Sequence, residues 1–366
     1  MSISTAFPLE ARAELCDVGF SQLRAVMLQQ AQAHELKILE DSDSAVSIEV
    51  TAFGQYRLAA RGSGTVVTIT AALPDRLFML KDGFCDTLAQ LLPEAAESLR
   101  WTQSASPSQT EVAAPRQPGQ PPQPQLPPNL HFTTVQSITP IGTAFLRVQV
   151  KADDLSSFQD DAIHFRLVLP PEGCSAPEWP SVSASGATLW PKGDKALHRP
   201  VYTTRWIDPA AGLMAFDIFL HAGGRATNWV RAAAVGDQLA IAGPGGGGLV
   251  QSNKIVLFAD ETAFPAAARI LENLSADSQG QITLVAEQGA ACGYPITAPK
   301  GVEVIWLTRS EAGDIAERAL TARAALPDHF FWFAGEKSTV TPVRTAIKAS
   351  DPAPGTTYIA AYWSQP

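Results

Sequence analysis

Lys254 to Leu274 reads KIVLFADETAFPAAARILENL. Its first part, between Lys254 and Asp260, is an unbroken apolar run of strand length. A strand without polar alternation is one covered on both faces. Two carboxylates and a threonine follow, and then a stretch with Pro265 near its start and alanine, isoleucine and leucine at helical spacing. Proline is tolerated in the first helical turn, where its missing N–H has no partner to lose. The unit recurs downstream. "QITLVAEQ", "VEVIWLT" and "HFFWFAG" are short apolar strands, alternating with the helix-like runs "GDIAERALTARAA" and "TVTPVRTAIKA". Buried strands alternating with helices predict an α/β doubly wound parallel sheet over residues 249–366. No G-x-G-x-x-G follows the first strand, so the dinucleotide fingerprint of dehydrogenases is absent.

Upstream the period changes to two. Leu146, Val148 and Val150 share a face, as do Phe165, Leu167 and Leu169, and Met214, Phe216, Ile218 and Leu220. Short alternating strands broken by Gly, Pro and Asp turns predict an antiparallel barrel or sandwich running from Leu130 to Ala242, within a domain spanning 129–248. Before it, residues 102–128 are rich in Pro, Gln and Ser with no aromatic residue. Such a segment buries too little apolar surface to offset its ordering entropy and reads as a tether. In polyproline II form about 25 residues reach roughly 75 Å. Residues 1–101 read as a small α+β domain. A helix is expected over Ala11 to Ala33 with Leu15, Val18, Leu23, Val26 and Met27 inward, then strands "SAVSIEV", "GQYRLAA" and "TVVTITA", then a helix from Asp75 to Leu92.

The chain has 366 residues, 46% hydrophobic and 17% charged, with a formal net charge of −9. That balance suits a globular protein and argues against a nucleic-acid binder, which needs a basic face. Cys16, Cys85, Cys174 and Cys292 are far apart and form no C-x-x-C, so no disulfide framework, zinc site or cysteine-held cluster is expected. With no basic-then-apolar leader and no run of membrane-spanning length, the expectation is a cytoplasmic monomer without membrane insertion.

The polar chemistry concentrates in four places. "HRPVYTTRW", His198 to Trp206, crowds an aromatic, hydroxyls and cations onto a strand. The plain alternative is a solvated edge strand. "LHAGGRATNW", Leu220 to Trp229, is a strand end, a glycine turn and a helix start, where exposed backbone N–H groups attract anions. "ADETA" ends the first strand of the parallel sheet and "AGE" ends the fourth, the crevice where such sheets place ligands. Acids at a helix start also complement its dipole without any ligand.

In this order the motifs resemble those of the siderophore-interacting flavoproteins, relatives of the ferredoxin reductases. The likeness covers about Leu130 to Trp363. That family carries R-x-Y-T-x-R, H-G-x-x-G-P-A-x-x-W, G-P-x-G, G-D-E-T-A-x-P-A, W-x-A-G-E and a terminal Y-W. This chain departs at Ala222, Arg225, Val235 and Ala259. The resemblance implies an FAD-binding barrel followed by a nicotinamide-binding domain for NADPH or NADH, with a ferric siderophore as substrate and no protein metal site. It implies flavin or nucleotide contacts at Tyr202, Thr203, Arg205, His221, Gly223, Gly224, Ala226, Thr227, Trp229, Asp260, Thr262, Gly335, Glu336, Arg344 and Trp363. Tyr202 would pack on the flavin ring, Thr203 would bond near its reactive nitrogen, and Arg205 would neutralise the pyrophosphate.

Arg199 matches the family's first arginine out of phase, three residues before Tyr202. It either faces away or is brought round by a bulge at Pro200. Arg309, ending the third strand, would meet the 2′-phosphate of NADPH, and as plainly reads as a surface arginine. Lys192, Lys195 and His198 are candidates for a basic rim toward an anionic siderophore. The chemistry is then borne by the cofactor, with no catalytic side chain required. The first hundred residues resemble a companion domain sometimes joined to these reductases. Two other readings stay open: a reductase of a protein acceptor such as ferredoxin or flavodoxin, and a siderophore-binding protein without catalysis.

Overall fold

The computed structural model describes residues 7–34, 36–50, 53–103, 125–353 and 355–365. The chain divides into two compact units, residues 1–130 with 170–197, and residues 131–169 with 198–366. The body of the proposed tether, residues 104–124, lies outside the described residues.

The first unit opens with a correction. Residues Leu9–Leu15 form a strand, β1, and the helix α1 starts only at Phe20 and runs to Ala33. Along β1, Ala11, Ala13 and Leu15 are buried while Arg12 and Glu14 are exposed. That alternation is period two, and Leu15 reaches the core from a strand. In α1 the buried positions Phe20, Leu23, Met27 and Ala31 fall at helical spacing. A meander follows: β2 (Lys37–Asp41), β3 (Ala45–Val50), β4 (Gly54–Arg61) and β5 (Gly64–Ala71). Then come α2 (Pro74–Leu91), α3 (Pro93–Ser98) and the short β6 (Thr102–Gln103). The sheet order is β2-β3-β4-β5-β1-β6.

The barrel begins with β7 (Leu130–Ile141), β8 (Phe145–Lys151) and β9 (His164–Val168). After β9 the chain departs from the expected continuous barrel. Residues 170–197 form an arm, with a two-stranded ribbon of β10 (Ser181–Val182) and β11 (Thr188–Leu189), and the arm belongs to the first unit. Thr188 N–H donates to Asp82 of α2 at 2.6 Å, and the Ser185 carbonyl accepts from Trp101 Nε1 at 3.0 Å and Cys85 Sγ at 3.2 Å. Gly186, at φ 86°, lies against Trp101 and the Lys81 stem. The arm's sequence is rich in Pro, Ser and Gly and offers no alternating apolar face, so it cannot replace a barrel strand.

The chain re-enters the barrel at His198, which pairs with Leu169, and continues as β12 (Val201–Asp208), β13 (Leu213–Phe219), α4 (Arg225–Ala232) and β14 (Gln238–Gly245). The closed barrel runs β12-β13-β8-β7-β14-β9. Its core contains Val148, Val150, Phe165, Leu167, Leu169, Met214, Phe216 and Ile218, with Leu146 and Leu220 packed against them, as the period-two pattern requires.

The same unit continues through β15 (Lys254–Asp260), α5 (Phe264–Asn273), β16 (Gln279–Ala286), β17 (Gly301–Thr308), α6 (Arg309–Ala312), α7 (Ile315–Ala325), β18 (Phe330–Glu336), α8 (Lys337–Ala349) and β19 (Thr357–Trp363). These five strands form a parallel sheet in the order β17-β16-β15-β18-β19. Both faces are covered. Ile255, Leu257 and Ala259 cluster with α5, while Val256 and Phe258 cluster with α7 and α8. The unbroken apolar run of β15 is therefore two alternating faces, each buried. The strand order reverses beside β15, so the crevice at the ends of β15 and β18 is the switch point of a doubly wound fold.

Candidate functional site

On β12, Tyr202 and Thr203 leave the strand on opposite faces. Tyr202 is half-buried and lies 6.0 Å from the Phe216 ring, against the barrel core, where burial raises its pKa. Thr203 is buried and sits directly across from His164 of β9. Residues opposite one another in an antiparallel pair share a face, and the Thr203 hydroxyl lies 3.2 Å from His164 Nδ1. His164 Nε2 in turn lies 3.2 Å from the Tyr362 hydroxyl of β19. His164 carries no signal in the sequence, and Tyr362 enters there only as the tyrosine of the terminal Y-W. A lone histidine in "AIHFRLV" reads as an ordinary strand residue, and its partners are far away in the chain.

Arg205 is engaged within the protein. Both terminal nitrogens of its guanidinium bond Glu272 of α5, at 2.6 and 2.5 Å, and its side chain is 7% exposed. A phosphate contact by Arg205 would exchange this carboxylate for the phosphate. A β-bulge between Thr204 and Trp206 turns Arg205 toward the helix. Arg269, one turn earlier on α5, bonds the Thr204 carbonyl and Asp160. Arg199 precedes the strand and is exposed, and its carbonyl accepts from Arg166 at 3.0 Å.

The glycine turn before α4 keeps the character read from sequence. Gly223 has φ 77°, which favours glycine, and a Cβ on Gly224 would come within 2.6 Å of the His221 imidazole. The helix start carries no side-chain cap. Thr227 is buried and its hydroxyl accepts from His221 N–H at 3.3 Å, while Ala226 and Trp229 pack on the barrel core. Ala226, Thr227 and Trp229 thus fix α4 in place.

At the sheet crevice Asp260 accepts from Thr262 N–H at 3.0 Å, Thr262 Oγ1 at 2.5 Å and Trp363 Nε1 at 2.7 Å. Burial raises the Asp260 pKa, and the Thr262 and Trp363 bonds oppose the shift. A Cβ at Gly335 would meet Asp260 Oδ2 at 2.8 Å, so only glycine lets β18 end here. Glu336 caps α8 by accepting from Ser338 N–H at 2.5 Å. Arg344 donates to the Ile359 carbonyl at 2.8 Å and braces β19. Arg309 bonds Glu261 at 2.6 Å, and Glu261 is 2% exposed. Burial raises the pKa of Glu261, with Arg309 opposing.

Of the three helix starts read as cofactor contacts, two already hold a carboxylate of their own: Asp260 at the turn before α5, and Glu336 at α8. Only α4 presents its first turn without one. Uncapped amides beside two glycines are what a pyrophosphate requires, so the residues fit a flavin dinucleotide at this turn. A second network was not foreseen: Asp217, buried in β13, accepts from Arg147 at 2.7 Å and from Tyr294 at 2.6 Å.

The candidate substrate residues lie on the arm and its exit. Lys192 is exposed and precedes a 3₁₀ turn at Gly193–Lys195, Lys195 pairs with Glu178 at 2.6 Å, and His198 is half-buried, where burial and then Arg225 lower its pKa. No described helix is long and apolar enough to cross a membrane.

Comparison with known proteins matches residues 134–248 to the siderophore-interacting FAD-binding domain and residues 252–366 to the siderophore-interacting protein family. The NADPH-dependent ferric-chelate reductase of Escherichia coli (strain K12) is 30% identical over 239 residues, covering 63% of this chain and 91% of that protein. A siderophore utilization protein from T. fusca aligns with a TM-score of 0.57 and 28% identity over 64% of this chain and 93% of that one. The siderophore-interacting protein SipS from Aeromonas hydrophila, at 23% identity, a TM-score of 0.55 and coverage of 65% and 92%, shares the fold.

Proposed function

The chain belongs to the siderophore-interacting protein family, and from that premise we propose that it is an NADPH-dependent ferric-siderophore reductase. It is an FAD-dependent NAD(P)H oxidoreductase. The observation that carries the reading is the joining, in one compact unit, of the Tyr202–Thr203 barrel strand and the uncapped α4 turn with the crevice of a parallel sheet.

Bound FAD would supply the chemistry that links a two-electron hydride donor to a one-electron acceptor, the ferric ion, which is substrate. The chain's own residues bind and orient. The α4 amides, with Gly223 and Gly224, take the pyrophosphate, and Arg225 adds charge at the place where the family has proline. A charge-assisted phosphate contact contributes about 1.5–3 kcal/mol. Tyr202 supplies an aromatic wall, and Thr203 presents a hydroxyl on the opposite face of the strand. The ends of β15 and β18 receive the nicotinamide nucleotide. Arg309 is the candidate for the 2′-phosphate, exchanging Glu261 for it. For an anionic chelate the candidate cations are Lys192 and Lys195 on the arm and, in the second unit, Arg199, with His198 beside it as a neutral hydrogen-bonding ring.

The test is direct. The purified chain is incubated with FAD, freed of excess by gel filtration, and mixed with NADPH, a ferric catecholate and a ferrous indicator dye. Bound flavin absorbance and NADPH-dependent ferrous release are expected. A colourless protein overturns the reading. Electron transfer to ferredoxin but to no ferric chelate replaces it with a reductase of protein acceptors.

A further inference from the structure

His164 is an enclosed titratable group of the flavin barrel that the proposed function leaves without a task. It is 5% exposed, yet both ring nitrogens are engaged, Nδ1 with Thr203 at 3.2 Å and Nε2 with Tyr362 at 3.2 Å. The fold makes room for it. Gly246, at φ 73°, stands where a Cβ would come within 2.6 Å of the imidazole Cδ2. Tyr362 meets the ring edge-on, with centroids 5.5 Å apart, and its own hydroxyl is bonded to Tyr358. The Arg269 guanidinium faces the same space, so charge on the imidazole is disfavoured twice, by burial and by a neighbouring cation, against the opposing pull of the Tyr202 carbonyl, which accepts from the ring. The ring is therefore neutral. A neutral imidazole has one donor nitrogen and one acceptor nitrogen. Which nitrogen holds the proton decides the direction of the whole chain of bonds.

We propose that His164 is a positioning residue for Thr203, whose two neutral tautomers let the Thr203 hydroxyl serve either as donor or as acceptor toward the flavin. This rests on the flavin site proposed above. In one arrangement Tyr362 donates to Nε2, Nδ1–H donates to Thr203, and Thr203 donates outward. In the other Thr203 accepts from outside and donates to Nδ1, Nε2–H donates to Tyr362, and Tyr362 donates to Tyr358. Threonine, histidine and tyrosine hold the same three protons in both, so neither arrangement places charge in a buried site. The need for two arrangements follows from the ligand. The central ring nitrogen of a flavin accepts a hydrogen bond when oxidised and carries a hydrogen when reduced. A hydroxyl fixed in one direction would suit one redox state and oppose the other.

The experiment reads the tautomer itself. The full-length, FAD-loaded protein is labelled with ¹⁵N-histidine, and the His164 resonances are assigned by comparison with His164→Gln. The expected result is a neutral ring at pH 6 with the proton on Nδ1 in the oxidised protein, moving to Nε2 after reduction with dithionite. Tyr362→Phe, which keeps the ring and loses the bond to Nε2, is expected to bind FAD within about threefold of the parent, to shift the bound flavin absorption band, and to slow flavin reduction by NADPH on the order of tenfold. An unchanged tautomer on reduction, or a doubly protonated ring, overturns the proposal while leaving the flavin site intact. Failure of the parent protein to hold FAD overturns the flavin site, and the proposal falls with it.

Discussion

A histidine kept neutral inside a protein makes that protein acid-sensitive. Burial, with Arg269 adding to it, pushes the His164 pKa down to about 4 from an ordinary 6.5. Between those values the unfolded chain binds a proton that the folded chain refuses. Stability therefore falls as pH drops through that window, by roughly 3 kcal/mol once pH is below 4. Arg269 from α5, Thr203 and the Tyr202 carbonyl from β12, and Tyr362 from β19 face the ring; the carbonyl alone favours its charged form, and Tyr362 is itself held neutral by burial. Urea unfolding at pH 7 and pH 4.5 should show the parent losing more stability on acidification than His164→Gln. At this scale the sequence was legible where residues act next to their neighbours in the chain. Tyr202, Thr203, Gly223 and Gly224 lie where their local patterns put them. The pairing of Arg205 with Glu272 was not legible, because the two are 67 residues apart and nothing local announces it.

The elements around β12 are tied to α5 by two arginines pointing in opposite senses along the chain. Arg205 reaches from strand to helix, and Arg269 reaches from helix to strand. Glu272 and Arg269 are three apart and so share a face of α5. Glu272→Ala would leave the Arg205 guanidinium, whose Nε already lacks a partner, enclosed without a counter-charge. The expected loss is about 3 kcal/mol, toward the lower end for breaking a buried pair because the carboxylate is partly at the surface. Arg205→Ala should cost a similar amount, and the double variant far less than the sum, by thermal melts. If Arg205→Ala alone abolishes FAD binding while Glu272→Ala does not, a phosphate contact is its role after all. The parallel strands were readable because apolar runs of that length between helices have few other solutions. β1 was not, because seven residues of alternation next to a genuine helix look like its first two turns. The last strand, β19, was taken only for its terminal Tyr-Trp pair. Trp363 and Tyr362 in fact divide between the Asp260 crevice and His164.

At the scale of the molecule, the Pro-rich segment reads from the sequence as a tether between folded units. The chain instead passes between the two units at residues 130–131, 169–170 and 197–198. The arm from 170 to 197 completes the first unit through Asp82, Cys85 and Trp101. A cut placed between residues 104 and 124 should therefore not free the N-terminal part. A protease site inserted there and cleaved should give two bands on a denaturing gel and one peak on a native sizing column, and separation into two peaks would show the arm's bonds to be too weak to hold it. Nothing in the sequence signalled this, since a Pro- and Ser-rich stretch inside a β domain reads as a long loop until its partner is seen.

The arm also imposes an order of birth. When the ribosome has finished Gln103, every strand and helix of the N-terminal sheet has been made, yet the surface formed by Asp82, Cys85 and Trp101 has no cover until residue 188 follows. At ordinary rates of synthesis that interval is on the order of ten seconds. During it the nascent domain presents an unfinished face to the cell, and the first hundred residues transplanted onto another protein would keep that face open permanently.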